Sequence, residues 1–326
     1  SLVGSEMCIR DRFKKDTKDM LMERPIPLYV GSGSPLSNVG TLTNQGIELE
    51  VGYKLSVDKV NLSFLANASY VKNEIKNLGN QTGYIDKESL PTLGTVSRNE
   101  NGYPIGYFFG YKAIGVFQTQ EEIDSYISPA TGKPIQPNAA PGDTKFEDLN
   151  GDGVISDDNE DRTMIGKPNP DWMVGLTVAA DWNGFDLSAF FQGSFGADVF
   201  DALRRYELAA VNYTSDALER WTGPGTSNSM PRIVLGDTPK NFRPSTLLVH
   251  DASFLRLRNL QVGYTLPAQL TRKAYIQRLR FYASFDNLLT ITGYKGMDPE
   301  IGSTMGIDKG VYPQARVYTF GLNLTF

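Results

Sequence analysis

The stretch DWMVGLTVAADWNGFDLSAFFQGSF, residues 171–195, indicates the fold. Its first half alternates apolar side chains with polar or small ones, and Trp172 and Trp182 stand at the two ends of the apolar set. Asn183 and Gly184 then form a dipeptide that strongly predicts a tight hairpin, after which the alternation resumes from Phe185 to Phe195. About ten residues at roughly 3.3 Å rise, tilted by roughly 45°, climb about 23 Å, close to the apolar band of a transmembrane barrel. The stretch therefore predicts two membrane-crossing antiparallel strands.

The same alternation predicts six further strands along the chain. In the fourth of them the apolar phase slips, which predicts a β-bulge near Arg258. The predicted strands are Ile47–Leu55, Val60–Tyr70, Gly106–Phe117, Phe254–Leu266, Arg278–Leu289 and Arg316–Phe326.

Connections between these strands alternate in length. Val57–Lys59 and Asn183-Gly184 are short, whereas residues 72–103, 118–170 and 196–253 are long. Short periplasmic turns and long extracellular loops are typical of outer-membrane barrels. A soluble β-sandwich also alternates, but it does not explain the strand lengths or the loop asymmetry. The pattern favours an all-β fold, an antiparallel transmembrane β-barrel.

Composition excludes several classes of function. The net charge is −5 and the Lys and Arg residues are scattered, which argues against nucleic-acid binding. A single His and a single Cys exclude most His/Cys metal sites and any internal disulfide. His250 has only Ser253 as a nearby nucleophile in the sequence, so we interpret His250 as structural. No catalytic residue is predicted.

The first twelve residues, SLVGSEMCIRDR, follow neither a strand nor a helix pattern. They resemble translated sequencing-adapter sequence, and the chain has neither an initial Met nor a signal peptide. We expect residues 1–12 to be non-native, residues 13–326 to be the C-terminal part of a barrel, and the true start to be missing.

The segment DLNGDGVISDDN, residues 148–159, has the D-x-N-x-D-G spacing of calcium loops, with Gly153 at the sharp turn. It departs from the motif at its twelfth position, where Asn159 replaces a bidentate Glu, so another acid would have to substitute. The alternative interpretation is a solvated acidic turn, and the spacing does not favour a glycosidase pair of carboxylates. The predicted ligands of this structural Ca²⁺ are Asp148, Asn150, Asp152, the Val154 carbonyl and Asp158.

Aromatic residues are frequent in the long connections and just beside them. Such side chains stack on sugar rings, contact a partner that covers the barrel, or pack within the loops. The residues concerned are Tyr103, Tyr107, Phe108, Phe109, Tyr206, Tyr213 and Trp221.

Four segments, in order, resemble the SusC/RagA family of TonB-linked outer-membrane proteins. Residues 141–170, PGDTKFEDLNGDGVISDDNEDRTMIGKPNP, are similar to the most recognisable block of the family, and GFDLSAFFQGSFG at 184–196 follows it. TLTNQGIELEVGY from Thr41 resembles a mid-barrel strand, and YPQARVYTFGLNLTF from Tyr312 resembles the closing strand.

This resemblance implies the C-terminal strands of a TonB-dependent transporter barrel of about 22 strands, in the outer membrane of a Gram-negative, Bacteroidetes-like cell. It implies import of oligosaccharides or peptides with a SusD/RagB-like surface lipoprotein, driven by TonB through a part of the protein outside this sequence. The barrel would contact outer-membrane lipid and would not be an enzyme. Two alternatives stay open: a receptor for siderophores or other substrates, and a secreted all-β carbohydrate-binding module with a calcium loop.

The last predicted strand carries an unbroken apolar face that ends at the C-terminus. We expect this face to point to lipid and its polar neighbours to point to the lumen. A terminal aromatic residue on such a strand resembles a signal for outer-membrane insertion. The apolar residues are Tyr318, Phe320, Leu322, Leu324 and Phe326.

Overall fold

A computed structural model of the chain describes residues 2–23, 35–157, 159–209, 211–301 and 305–326, which are mainly β-strands. Two short α-helices, α1 (Gln120–Ser125) and α2 (Ala268–Thr271), and 3-10 turns at Ser215–Glu219, Leu235–Asp237, Thr246–Leu248 and Arg272–Ala274 lie in the connections. The strands are β1 (Leu2–Glu23), β2 (Leu36–Val57), β3 (Val60–Asn77), β4 (Tyr84–Asp86), β5 (Ser89–Leu90), β6 (Gly94–Thr95), β7 (Ser97–Glu100), β8 (Tyr107–Tyr111), β9 (Ala113–Val116), β10 (Thr144–Phe146), β11 (Arg162–Gly166), β12 (Trp172–Trp182), β13 (Phe185–Phe195), β14 (Asp198–Asp201), β15 (Val249–Asp251), β16 (Phe254–Thr265), β17 (Arg278–Thr292), β18 (Ile307–Asp308) and β19 (Val317–Thr325).

Eight long strands form one antiparallel sheet in the order β1-β2-β3-β12-β13-β16-β17-β19, hereafter the large sheet. At one end its connections are short. Asn183 and Gly184 have positive φ angles of 48° and 86°, the combination that a type I′ hairpin requires. Asp58 and Lys59 form another two-residue turn, since Val57 pairs directly with Val60. The long connections leave the opposite end, so the predicted asymmetry is confirmed.

Register places all predicted apolar positions of the central strands on one side of the large sheet. Directly paired residues of neighbouring antiparallel strands point to the same face. Trp172 pairs with Tyr70 and Phe195, and Trp182 pairs with Val60 and Phe185. Both tryptophans are about half exposed, with relative accessibilities of 47% and 53%. An apolar face rimmed by aromatic rings and left uncovered by protein is what a lipid-facing barrel wall requires.

The predicted bulge in β16 is confirmed. Adjacent residues Phe190 and Phe191 of β13 pair with Asn259 and Leu257, which leaves Arg258 as the extra residue of β16. The extra residue shifts the alternation of the strand by one position. Leu257 and Leu260, which are three positions apart, therefore both lie on the apolar face.

The prediction that Gly106–Phe117 forms a barrel strand is wrong. The structure divides it into β8 and β9, which pair with β11, β7 and β10 outside the large sheet. Every residue of β8 is buried. The run Tyr107-Phe108-Phe109-Gly110-Tyr111 is apolar on both faces, and this suits a strand covered on both sides better than a wall strand.

β1 was not expected from the sequence, yet its backbone pairs with β2. Its side chains break the pattern of the sheet, because Arg10 pairs with Leu49, Arg12 with Ile47 and Glu6 with Tyr53. Charged groups thus share the apolar face with β2. The non-native origin of residues 1–12 stays a prediction, and this mismatch supports it.

The long connections, residues 78–171, 196–253 and 293–316, pack together into one layer, hereafter the loop layer. Its main core combines residues from all three connections: Leu90, Val96, Phe108, Phe200, Ala202, Leu248 and Ile307. The loop layer therefore lies at the open end of the large sheet with a core of its own.

Among the described residues, no helix is long and apolar enough to cross a membrane.

Candidate functional site

The second face of the large sheet is polar, as predicted for a lumen wall. It is the face opposite the tryptophan-rimmed one, because its residues alternate with Trp172–Trp182 and their partners. Side chains that accept and donate hydrogen bonds cover most of it and suit a water-filled passage. They include Asn61, Ser63, Asn67, Ser188, Gln192, Asn259, Gln261, Ser284, Asp286, Thr319 and Asn323.

An ion pair crosses this polar face near its short-turn end. Arg280 of β17 binds both carboxylate oxygens of Asp186 of β13, at 2.9 and 2.5 Å. The side chains meet above Gly263 of the intervening strand β16, where a Cβ atom would lie 2.5 Å from Arg280 Nη2. The glycine is therefore what allows one bidentate contact to link three strands.

A second charged group lies at the open end, next to the bulge at Arg258. Arg256 is 2% exposed and binds Asp298 at 2.5 Å and Glu300 at 3.1 Å. Arg258 binds Glu300 at 2.6 Å and Gln192 Oε1 at 2.7 Å. The two arginines stand two positions apart on β16, so alternation places both on the polar face, where both reach the Glu300 carboxylate.

These contacts fasten the connection between β17 and β19 to the wall, and we call Arg256, Arg258, Asp298 and Glu300 the loop latch. Asp298 also accepts the backbone N–H groups of Glu300 and Gln314. Burial favours a raised pKa for Asp298, but these N–H groups and Arg256 outweigh it and lower the pKa. The Asp298 carboxylate is therefore ionised at neutral pH.

A stack of alternating arginines and aromatic rings holds the loop layer together. Arg98 lies over Phe109, with 3.5 Å from its guanidinium carbon to the ring centroid, and Arg162 lies at 4.4 Å from the same ring. Arg243 lies at 4.8 Å from the ring of Tyr111. The three arginines come from different stretches of the chain, so these contacts tie the stretches to β8.

A cavity of about 670 Å³ lies where the polar face meets the loop layer. Asn73 closes one side of it, donating to Asn44 Oδ1 at 2.6 Å and accepting from the N–H of Ile105 at 2.8 Å. Lys167 and Asp171 supply an ion pair at the rim. The amides and the ion pair can form hydrogen bonds with a polar solute, and the Met173 side chain can cover a small apolar part of it.

The predicted calcium ligands lie in one tight loop, but their oxygens point to backbone N–H groups. Asp148 accepts the N–H of Gly151 at 2.8 Å and of Gly153 at 2.9 Å, and Asp152 accepts that of Val154 at 2.8 Å. Asn150 donates to Asp152 and Glu160. Asp158 lies outside the described residues, and those described contain no group of three His, Cys, Asp or Glu side chains arranged to hold a metal. Calcium binding stays a prediction.

The loop aromatics divide into two groups. Tyr107, Phe108, Phe109 and Tyr206 are buried and pack in the loop layer, whereas Tyr103 and Trp221 are half-buried and Tyr213 is exposed. His250 lies 3.6 Å from Asp201, which also binds Arg204 at 2.7 Å. Burial would raise the pKa of Asp201, but His250 and Arg204 lower it. These contacts are consistent with a structural role for His250.

Sequence reasoning missed the loop latch. A signal was available: Arg256 and Arg258 stand within a predicted membrane strand, where a charged side chain has to face the lumen. Their partners lie more than forty residues away, separated by 42 positions in the case of Arg256 and Asp298. Spacing alone could not identify them.

Comparison with known proteins agrees with this architecture. Residues 13–288 match a family model described as TonB dependent receptor-like, beta-barrel. The chain is 32% identical to TonB-dependent receptor P3 of Formosa agariphila over 97% of its length, and 30% identical to TonB-dependent receptor SusC of Bacteroides thetaiotaomicron over 97%. A solved structure of the RagAB peptide importer superposes with a TM-score of 0.75 and 27% identity, covering 98% of this chain and 33% of that one. The chain spans 32% of the P3 receptor and 30% of SusC, about a third of the curated relatives it matches.

Proposed function

The chain belongs to the TonB-dependent receptor-like β-barrel family, and on that premise we propose that the protein imports oligosaccharides or peptides across the outer membrane, driven through TonB. The observation that carries this proposal is the two-faced large sheet. One face is apolar between two rows of aromatic rings, and the other is polar and crossed by ion pairs. A secreted carbohydrate-binding module would have no use for an uncovered apolar face of this kind.

We propose further that a SusD-like surface lipoprotein covers the open end. Support comes from the segment between Leu203 and Leu235, which exposes apolar side chains although the loop layer has a packed core. Leu218 and Leu235 are 80% and 70% exposed, and Tyr213 is also exposed. Apolar side chains at the rim of a passage are candidates for contact with a partner protein.

Both substrate classes remain within the proposal. One solved relative is named a peptide importer, which supports peptides. The amide-lined cavity beside Asn73 suits either class, since peptide groups and sugar hydroxyls both exchange hydrogen bonds with amides.

Uptake by cells that carry the natural gene tests the transport proposal. We expect accumulation of a labelled oligosaccharide or a labelled peptide, and we expect it to stop when TonB is depleted. Uptake that continues without TonB, or no uptake of either class by cells that display the protein, would contradict the proposal.

Affinity purification tests the partner. Leu218→Ser together with Leu235→Ser should release a surface lipoprotein that co-purifies with the parent protein. Leu270→Ser is the matched control, because Leu270 is 58% exposed at the opposite, short-turn end of the sheet. Equal recovery of the lipoprotein with all variants would contradict this docking surface.

A further inference from the structure

One connection at the short-turn end differs from its neighbours. β16 and β17 are joined by residues 266–277, hereafter the basic turn, which contains α2 and a 3-10 turn, whereas two-residue turns join β2 to β3 and β12 to β13. Its sequence, LPAQLTRKAYIQ, has Arg272 and Lys273 and no acidic residue. Most of its side chains are exposed, while Thr271 is buried and its carbonyl accepts the N–H of Ile276 within the turn.

Tyr275 occupies an unfavourable position in the basic turn. It ends the 3-10 turn in the left-handed conformation, with a φ angle of 59°, and its side chain is 90% exposed. Glycine is the usual residue at such a helix end, because a side chain there is strained. Leu270 is 58% exposed on the same turn. If the turn lay in water, no contact would offset the backbone strain of Tyr275 or the exposure of its ring.

The basic turn begins directly below the aromatic rim of the apolar face. Tyr264 packs against Phe185 at 4.4 Å between ring centroids, and Phe185 stacks on Trp182 at 6.3 Å. Leu266 follows Tyr264 by two positions and the backbone N–H of Leu266 bonds to Leu279. Two residues of a tilted strand add roughly 5 Å of height, so the turn starts at the depth of lipid headgroups.

Both cations of the basic turn are available for a ligand outside the protein. Arg272 and Lys273 are exposed, and neither forms an ion pair within the part of the chain that the structure describes. Elsewhere the arginines of this chain are commonly paired, as Arg280 is with Asp186. A positive turn beside an apolar, ring-lined rim is complementary to a phosphate-bearing lipid surface.

We propose that the basic turn is a membrane-interface anchor that binds the phosphate groups of anionic phospholipids in the periplasmic leaflet. Arg272 and Lys273 donate to the phosphates, while Tyr275 and Leu270 lie among the headgroups and upper acyl chains. This assignment rests on the proposed function, because it needs the large sheet to stand in the outer membrane with its short turns in the periplasm. It also gives Tyr275 an apolar contact that offsets its strained backbone.

Native mass spectrometry of the natural, detergent-purified protein titrated with phosphatidylglycerol tests the anchor. Arg272→Gln with Lys273→Gln should weaken the tightest phosphatidylglycerol binding by about fivefold per cation removed. Lys59→Gln is the matched control, since Lys59 is an exposed cation in another short turn. It should bind phosphatidylglycerol like the parent.

Tyr275→Gly separates the interface role from a merely structural one. Glycine relieves the strained φ angle, so a simple surface turn would be unchanged or stabilised in lipid-free detergent and would bind lipid as before. The anchor instead requires weaker phosphatidylglycerol binding by a protein that is at least as stable as the parent in lipid-free detergent. Parent-like binding by both turn variants, or an equal loss with Lys59→Gln, would overturn the proposal. If cells that carry the parent protein show no TonB-dependent uptake, the proposed function fails, and this result is separate from the lipid-binding result.

Discussion

A single arginine on either face of β12 should distinguish lipid from lumen. Leu176 and Thr177 are neighbours in sequence and point to opposite faces, because Leu176 pairs with Ala66 and Phe191 whereas Thr177 pairs with Leu65 and Phe190. Leu176 lies between Trp172 and Trp182, roughly 9 Å below one aromatic rim and roughly 14 Å above the other at about 2.3 Å of height per residue. It is therefore close to the middle of the apolar band.

At that depth Leu176→Arg should destabilise the folded protein by about 2–4 kcal/mol, since an arginine on the lipid face of a barrel is costly near the midplane. Thr177→Arg should cost within about 0.5 kcal/mol, because its charge stays in water. Guanidinium unfolding of the natural protein in phospholipid vesicles measures both free energies. Equal effects of the two substitutions, or a larger loss for Thr177→Arg, would refute the assignment of the faces.

Four other outcomes are expected. Gly263→Ala should displace Arg280 from Asp186 and lower the free energy of unfolding by about 1–3 kcal/mol. The control Gly223→Ala, with nothing within 4 Å of the new Cβ, should leave the free energy of unfolding unchanged. Similar unfolding midpoints for the two variants would contradict the cross-strand role of Gly263. Because the pKa of Asp298 is lowered in the folded protein, the loop latch stabilises the fold fully above the ordinary Asp pKa of about 3.9, and this stabilisation is lost as pH falls through the lower folded pKa. As pH falls through that range, the rate at which an acid protease cleaves the parent within residues 293–316 should rise toward the rate for Asp298→Asn. A parent cleavage rate that does not change with pH would count against this prediction. Calorimetry should detect calcium binding that Asp148→Ala abolishes and Asp124→Ala, in another exposed acidic stretch, retains; unchanged heats in Asp148→Ala would exclude the site. Deletion of Phe326 should lower outer-membrane levels far more than Thr325→Ala, as blotting of membrane fractions would reveal, and normal levels would remove its targeting role.

The wall of the barrel was predictable because its signal is local. Period-two alternation, the Asn183-Gly184 turn and paired tryptophans predicted β13 to the residue and β12 as the strand that runs between the two tryptophans. The bulge at Arg258 followed from a slip in the same alternation. On a sheet with one apolar face, register is set by which side chains must avoid water, and this information lies within each strand.

The loop layer was not predictable in the same way. β8 looked like a wall strand because aromatic residues suit either environment, and only its burial by distant segments revealed its place. The loop latch joins residues whose spacing depends on the whole connection, so no local pattern encodes it. β1 was unexpected because backbone pairing with the edge of β2 requires no particular side chains.

Cysteine scanning of β12 in the outer membrane of intact cells tests the central claim, that the large sheet is a barrel wall with lipid on one side and water on the other. Cys8 is the sole cysteine of the sequence and lies within residues 1–12, so single substitutions from 172 to 182 are made in a version of the natural protein from which any other cysteine has been removed. We predict that a water-soluble thiol reagent modifies positions 173, 175, 177, 179 and 181, and that a lipid-soluble reagent modifies the alternate positions. Uniform reaction with the water-soluble reagent along the strand would contradict the account.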